Sequence, residues 1–388
     1  MSAKALVRAT FAFVFAAAAC GCATAPDSRT APACCSKAQA CCKVPLKVAV
    51  YADAGPSGIG AAEWFLLVNE SPEMELHLVD GAAVRAGALE GLDLLVMPGG
   101  NSRTEFETLG TNGVEKLKSF VRNGGGYIGT CAGCCLLMDG EDRRARMMPW
   151  NTCGNVDVTL FPTFQINEKG AAALGVKEGP HVMRYHGGPC MWPTTNVIAD
   201  AKFELWGTYD AEAAMKGKLK TRMHGSAAIL GGTYGKGRVF VTSAHPEYFS
   251  STLYIVKGAF KYVTGRDVTF PTRPRTPHSL SVGFVAAGIN GVDTAETVID
   301  LAAEKDFDLV LIDADGVRQR RLDHVDVLVI PSNKLAKDKV FASELSDFVS
   351  RGGKVLGFKE GRLLLPPGGI ACGTRQEAVK AIRKLFAK

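Results

Sequence analysis

The stretch GGGYIGTCAG at 124–133 decides the fold of this chain. Its apolar centre predicts a short buried strand, and the residues after it predict a tight turn into a helix. Gly129, Ala132 and Gly133 surround Cys131 with small side chains, which so sharp a bend requires because bulky neighbours would clash. The pattern therefore predicts a thiol held at the tip of a strand–turn–helix.

Working outward from this turn, strand and helix patterns alternate. Short apolar runs predict strands at 47–53, 75–80, 93–100 and 235–247, and helical spacing predicts helices at 61–69, 114–124 and 252–263. Such alternation predicts an α/β fold with a parallel sheet covered by helices on both faces. Sites in these folds lie at the carboxyl ends of strands, which is where the Cys131 turn falls.

The strand pattern recurs after PTRPRTP at 271–277. Segments 281–288, 325–331 and 344–361 repeat earlier ones at separations of 228 to 234 residues, which indicates a duplicated unit. The match puts Lys359 at the position of Cys131, and Ser332-Asn333 at the position of Gly99-Gly100. We therefore predict a linker at 267–280 and, at 281–388, a shortened, degenerate α/β copy without a nucleophile.

Three residues predict cysteine chemistry. A thiol at the start of a helix has a lowered pKa, which favours the thiolate at Cys131. His245 is the best candidate base among the seven histidines because it ends a strand, and Glu247 can orient its ring. Backbone N–H groups that could stabilise an oxyanion come from Ala132 and from Gly99 or Gly100.

These motifs occur together in one known superfamily. MPGG, GTCAG and GRVFVTSAHPE resemble the three signature blocks of class I glutamine amidotransferase-like domains, over about 47–266. Within it, GGGYIGTCAGCC and VMRYHGGP most resemble the biotin-protein ligase amino-terminal domain family. The resemblance implies a flavodoxin-like sheet and a Cys131, His245, Glu247 triad that forms a thioester with an amide substrate.

The segment at 182–189 is a second candidate part of the site. Arg184, Tyr185, Gly187 and Gly188 could line the pocket and hold a substrate carboxylate, although a plain turn is the alternative. Because no ammonia-accepting domain is recognisable, we expect hydrolysis of a C–N bond in a small-molecule or peptide amide. The alternative is a non-catalytic binding or scaffolding protein that retains the fold.

The first residues predict export. Basic residues, the apolar run at 11–19 and then small residues are typical of a signal peptide over 1–25. Ordinary cleavage after Ala25 and lipidation at Cys20 or Cys22 both remain open, so the expected place is the periplasm or cell envelope, with a lipid anchor as the expected membrane contact. A stalk at 26–46 follows, and its CCSKAQACC is either flexible or a soft-metal or disulfide clip.

The composition of the chain bears on nucleic-acid, cofactor and metal binding. The 45 basic and 39 acidic residues give a net charge of +6 that is scattered along the chain, so we do not expect nucleic-acid binding. We expect neither a cofactor nor a metal at the cysteine site. Cys134 and Cys135 are either resolving thiols or core residues, and Cys153 and Cys190 are either paired or reduced.

Overall fold

The computed structural model describes most of the chain from residue 44 onward. The described residues are 44–140, 143–155, 159–210, 223–271, 279–287, 289, 291–313, 316 and 321–386, with the backbone alone at 153, 321 and 359. The predicted signal peptide, the cysteine cluster at 34–42 and most of PTRPRTP lie outside these residues. We refer to 44–271 as the first α/β unit and to 279–386 as the second α/β unit.

The first unit alternates strands and helices and then adds further strands. Its strands are β1 (Leu46–Tyr51), β2 (Met74–Val79), β3 (Leu94–Met97), β4 (Gly126–Thr130), β5 (Trp150–Asn155), β6 (Thr159–Leu160), β7 (Thr163–Ile166), β8 (Gly179–Val182), β9 (Tyr185–His186), β10 (Pro189–Pro193), β11 (Ala201–Tyr209), β12 (Ala227–Tyr234) and β13 (Gly237–Thr242). Its helices are α1 (Gly58–Glu70), α2 (Gly81–Arg85), α3 (Ser102–Arg122), α4 (Ala132–Leu137), α5 (Glu168–Leu174) and α6 (Leu253–Thr264).

A parallel core lies at the centre of the first unit. Strands β2, β1, β3, β4 and β13 pair in that order, all parallel. Numbered along the chain this is the 2-1-3-4-5 order of flavodoxin-like sheets. Strands β1, β3 and β4 are buried almost throughout, as expected for a sheet covered on both faces. The predicted α/β fold class is confirmed.

An antiparallel extension continues this sheet and was not predicted from the sequence. Strands β12, β11, β7 and β8 add to β13 in that order, each antiparallel to its neighbour, and β10 and β5 branch from β12. A two-stranded ribbon of β6 and β9 lies beside it. The extension brings the 182–189 segment back to the end of β13, where Arg184 and His245 form an isolated backbone bridge.

The second unit has a smaller parallel sheet. Its strands are β14 (Leu280–Val285), β15 (Phe307–Ile312), β16 (Val327–Ile330), β17 (Lys354–Phe358) and β18 (Ile370–Cys372), and its helices are α7 (Val292–Ala303), α8 (Lys339–Ser350) and α9 (Arg375–Phe386). The pairing order is β15, β14, β16, β17, β18, again 2-1-3-4-5. A 3-10 turn, Lys359–Leu364, stands where α4 follows β4 in the first unit.

The two sheets also share their register. Val48 pairs with Leu94 in the first sheet, and Val282 pairs with Val327 in the second. These pairs have the separation along the chain that the sequence repeat has. The correspondence is what a duplicated unit would produce, and the duplication itself stays a prediction.

Equivalent elements of the two units pack against each other. Helix α1 contacts α7, α1 also contacts β15, and α7 contacts β2, so the contacts are reciprocal. Ile59 and Phe65 of α1 share one buried cluster with Ala295 and Val298 of α7. The backbone N–H of Gly58 also donates to a carbonyl of the second unit at 3.0 Å. Burial of large apolar side chains, worth about 1.5–3 kcal/mol each, holds the units together.

The predicted linker at 267–280 is in part packed structure. Val268 and Phe270 are buried in the core, and the Phe270 ring lies edge-on to Phe260 at 5.9 Å between centroids. Thr269 donates its N–H and hydroxyl to Glu73. The apolar residues before the proline-rich run therefore continue the first unit. Within the described part of the chain, no helix is both long and apolar enough to cross a membrane.

Candidate active site

Cys131 occupies a strained turn between β4 and α4. Its backbone has φ 50° and ψ −102°, a region that non-glycine residues rarely adopt. The neighbours must be small: a Cβ on Gly133 would lie 2.2 Å from the carbonyl oxygen of Met97, and one on Gly129 would lie 2.8 Å from the oxygen of Gly133. The predicted reason for the small residues around Cys131 is thus seen directly.

His245 and Glu247 lie just beyond β13, the strand next to β4. The Nδ1 atom of His245 is 2.8 Å from Oε1 of Glu247, and both side chains are buried. The backbone N–H of His245 donates to the Arg184 carbonyl at 2.8 Å, which anchors the main chain at this position. The second carboxylate oxygen of Glu247 is buried without a hydrogen-bond partner among the described residues. The Glu247 carboxylate is therefore engaged through the oxygen that faces the imidazole.

The imidazole also meets Cys131. Both side chains line the same cavity, and because Nδ1 is engaged by Glu247, Nε2 is the nitrogen left for the sulfur. The Sγ atom of Cys131 itself lies 3.5 Å from the carbonyl oxygen of His186, to which it donates. Burial lowers the pKa of His245, but the Glu247 carboxylate and the Cys131 sulfur outweigh it and raise that pKa to about 10. The raised pKa favours the imidazolium form of this ring.

Two glycines make room for this pair. A Cβ on Gly99 would lie 2.7 Å from Cε1 of His245 and 3.1 Å from Cβ of Cys131. A Cβ on Gly60 would lie 2.5 Å from Oε1 of Glu247 and 3.0 Å from Nδ1 of the imidazole. Gly99 was predicted only as an oxyanion donor, and Gly60 was not predicted to belong to the site. Both are required simply for the three side chains to meet.

The other predicted oxyanion donors adjoin Cys131. Gly100 lines a cavity on each side of the sulfur, and Ala132 lines the smaller one. Ala132 is the first residue of α4, where a backbone N–H has no acceptor in a preceding turn. The predicted oxyanion donors therefore lie next to the nucleophile. Their role in catalysis stays a prediction.

The 182–189 segment forms one wall of the site. Gly187 lines the main cavity, and Gly188 packs so closely that a Cβ there would lie 1.8 Å from the Ser243 oxygen. Tyr185 does not reach the cavity. It is fully buried, and its hydroxyl donates to the Gly188 carbonyl at 2.6 Å. The expectation that Tyr185 lines the pocket is not met, because its ring points into the core.

Arg184 lines the cavity but is already paired. Its guanidinium lies 4.2 Å from the centre of the Tyr248 ring and 3.4 Å from the carboxylate of Asp313 in the second unit. Tyr248 donates its hydroxyl to the same carboxylate oxygen at 2.9 Å, and the other oxygen accepts the N–H of Gly316 at 2.7 Å. The positive charge of Arg184, which the sequence analysis reserved for a substrate, is therefore offset by Asp313.

The main cavity lies between the two units. It measures about 430 Å³, and Cys131 and His245 open into it. Its far wall consists of second-unit residues that follow the carboxyl ends of β14, β15 and β16, namely Ala287, Asp313 and Lys334. This wall was not expected from the sequence, because the second unit has no nucleophile and was predicted to be a degenerate copy.

Glu105 is a second residue that the sequence analysis missed. It is fully buried in the first turn of α3, with neither carboxylate oxygen bonded to a described residue. Burial raises its pKa well above the usual value, negative charge on Cys131 raises it further, and Arg144 opposes both. Glu105 is therefore a neutral acid near the nucleophile. Its place in the first turn of a helix gave no hint of burial.

The remaining cysteines near the site differ in access. Cys134 is fully buried with its sulfur 3.3 Å from that of Met191, as expected for a core residue. Cys135 is partly exposed and lines the smaller cavity, about 270 Å³, beside Cys131. Cys190 is buried, but the side chain of Cys153 lies outside the described residues, so their pairing stays untested.

Parts of this chain are similar in sequence to known proteins. Residues 47–139 match the family described as "Biotin-protein ligase, N terminal". The biotin-protein ligase of Schizosaccharomyces pombe is 28% identical over 224 residues, 52% of this chain and 33% of that protein. The pyridoxal 5'-phosphate synthase subunit PdxT of Corynebacterium jeikeium is 48% identical over 59 residues, 15% of this chain and 30% of that protein.

The predicted resemblance is confirmed. The chain is similar to class I glutamine amidotransferase-like proteins, with the biotin-protein ligase amino-terminal domain over 47–139. It spans about a third of the length of the two curated relatives. Among solved structures, PurLQS from Thermotoga maritima is 15% identical, covers 56% of this chain and 99% of that chain, and has a TM-score of 0.38.

Proposed function

We propose that this chain hydrolyses a C–N bond of an amide through a thioester on Cys131. The observation that carries the proposal is that one cavity is lined by Cys131 and by the imidazole of His245, which Glu247 holds at 2.8 Å. Its glutamine amidotransferase-like relatives support the same general chemistry. We further propose an exported protein acting in the cell envelope on a small-molecule or peptide amide, which rests on the amino-terminal sequence pattern alone.

The first half of the reaction forms the thioester. The Cys131 thiolate attacks the amide carbonyl carbon, and the carbonyl oxygen takes up the negative charge against the N–H groups of Ala132 and of Gly99 or Gly100. The imidazolium of His245 then gives its Nε2 proton to the nitrogen as the C–N bond breaks. Ammonia or an amine leaves, and the acyl group remains on sulfur.

The second half returns the enzyme. The now neutral His245 accepts a proton from water, whose oxygen attacks the thioester carbonyl. The C–S bond breaks, the carboxylic acid leaves, and the thiolate is again paired with imidazolium. Glu247 holds the ring in the tautomer that keeps Nε2 toward sulfur throughout. The reaction consumes one water and returns Cys131 and His245 to their starting states.

The test is covalent labelling of the nucleophile. We expect a glutamine-like chloroketone to add once, at Cys131, with the adduct located by peptide mass spectrometry. Cys131→Ser abolishes the adduct, and Cys134→Ala, a buried cysteine one helical turn away, leaves it in place. The same proteins are then assayed for ammonia or amine release from a panel of glutamine-containing and other amides.

Three results separate the proposal from its main alternative. Labelling together with release that Cys131→Ser abolishes supports hydrolysis. Folded protein that shows no adduct between pH 6 and 9 overturns the nucleophile. A labelled protein that hydrolyses none of the amides, yet binds some of them equally well as Cys131→Ser, favours a binding protein that retains the fold.

A further inference from the structure

We propose that the second α/β unit selects the substrate of this site, with Lys334 as the cation that binds a carboxylate on the amide. The inference rests on the proposed function, because it names the class of amide that the Cys131 site would take. The second unit, which has no nucleophile, would then bind the substrate on which the first unit acts.

The second unit lies against the cysteine site. Its residues after β14, β15 and β16 form the wall that faces Cys131 and His245 across the cavity. Carboxyl-terminal strand ends are where α/β folds place ligand-binding groups, and here two such edges meet at one cavity. At about 430 Å³ the space suits a small ligand held from both sides.

Among the described residues, two of the basic side chains on the cavity wall have an acidic partner. Arg184 is offset by Asp313, and His245 is offset by Glu247. Lys334 makes no ion pair with any residue that the structure describes, and it is exposed in the turn after β16. An ammonium on a flexible stem at the cavity edge attracts an anionic group such as a carboxylate.

The pairing of Asp313 makes this charge effective. If Asp313 were unengaged, its carboxylate could neutralise Lys334 across the cavity. Its Oδ2 instead accepts bonds from Tyr248 and Arg184, and its Oδ1 accepts the N–H of Gly316. The Lys334 ammonium is therefore left for a ligand, whereas Arg184, which the sequence suggested for this role, is not.

The experiment compares two probes on one protein. A glutamine-like chloroketone with a free carboxylate and its methyl ester differ in that charge and in one methyl group, and both label through the same carbon. We expect the acid to label the wild-type protein faster than the ester does. In Lys334→Met the ratio of acid to ester labelling rates should fall about fivefold, the scale of a partly exposed ion pair. Labelling by the ester should not change.

Lys337→Met is the matched control. Lys337 is exposed in the same stretch after β16 but does not line the cavity. Its variant should keep the wild-type ratio of acid to ester labelling, and Lys334→Glu should favour the ester. Circular dichroism and thermal unfolding check that all variants fold, as expected for exposed side chains.

The outcomes distinguish this inference from the proposed function. Equal rates for acid and ester in the wild type, or an unchanged preference in Lys334→Met, overturn the role of Lys334 while the nucleophile stands. Absence of labelling by both probes overturns the nucleophile and the inference with it. A preference lost equally in Lys337→Met shows only general surface charge and also overturns the specific role.

Discussion

Replacing Gly99 with alanine tests whether the cysteine site depends on the fit of its imidazole. The added Cβ would lie 2.7 Å from Cε1 of His245 and 3.1 Å from Cβ of Cys131. Carbon atoms in contact prefer about 3.5–4.0 Å, so the ring must move by roughly 0.8 Å. A displacement of about 1 Å in a catalytic group can cost about 100-fold in rate.

We therefore expect Gly99→Ala to slow chloroketone labelling of Cys131, and any amide hydrolysis, by about 100-fold at pH 7. Overpacking should cost about 1–3 kcal/mol of unfolding free energy, which most domains tolerate. Second-order labelling rates by mass spectrometry give the kinetic effect, and urea unfolding gives the stability.

Gly207→Ala is the control for a glycine-to-alanine change in a strand. A Cβ at Gly207 would come no closer than 3.3 Å to any neighbour, so its labelling rate should equal that of the wild type. If Gly99→Ala folds and still labels at the wild-type rate, the imidazole is not where the reactivity of Cys131 arises, and the reasoning about the triad fails.

Three further substitutions probe buried charges. The pKa of His245 is raised from 6.5 to about 10, so protonated His245 contributes fully to the free energy of unfolding below pH 6.5, and this contribution is lost as pH rises toward 10. In Glu247→Gln the free energy of unfolding, measured with urea at a series of pH values, should fall less over this range. Asp313→Asn leaves Arg184 buried with its charge unpaired and should lower the free energy of unfolding by about 1.5–3 kcal/mol, and wild-type stability would contradict that. Glu105 has a raised pKa, so ionisation costs stability as pH rises above 4.5, and Glu105→Gln should gain thermal stability over wild type between pH 5 and pH 8.

Local patterns predicted the parallel core well. The strand before Cys131 and the flanking small residues follow from patterns that are close in sequence, whereas the flavodoxin-like strand order was implied by the family resemblance. The position of His245 also followed, because it ends a strand that pairs with β4. These features depend on neighbours along the chain or on one rule of sheet architecture, so a single sequence carries them.

Features that depend on long-range packing were not predictable. The antiparallel extension is built from short strands whose pairing crosses large sequence distances, and no periodicity marked it. The assignment of Arg184 to a substrate overlooked Asp313, since an ion pair between residues 129 positions apart leaves no local trace. Burial of Glu105 depends on contacts from outside α3, such as the close approach of Gly55, which is 50 residues away in sequence.

The reciprocal packing of α1 and α7 has the geometry of a homodimer interface contained in one polypeptide. In a dimer of identical chains, every substitution occurs twice and must suit both sides of the twofold axis. Within one chain the two sides are encoded separately, so one cavity wall can carry the thiol while the opposite wall carries only recognition. Because the two units are covalently linked, the second unit stays beside the first at any protein concentration, whereas a dimer dissociates on dilution.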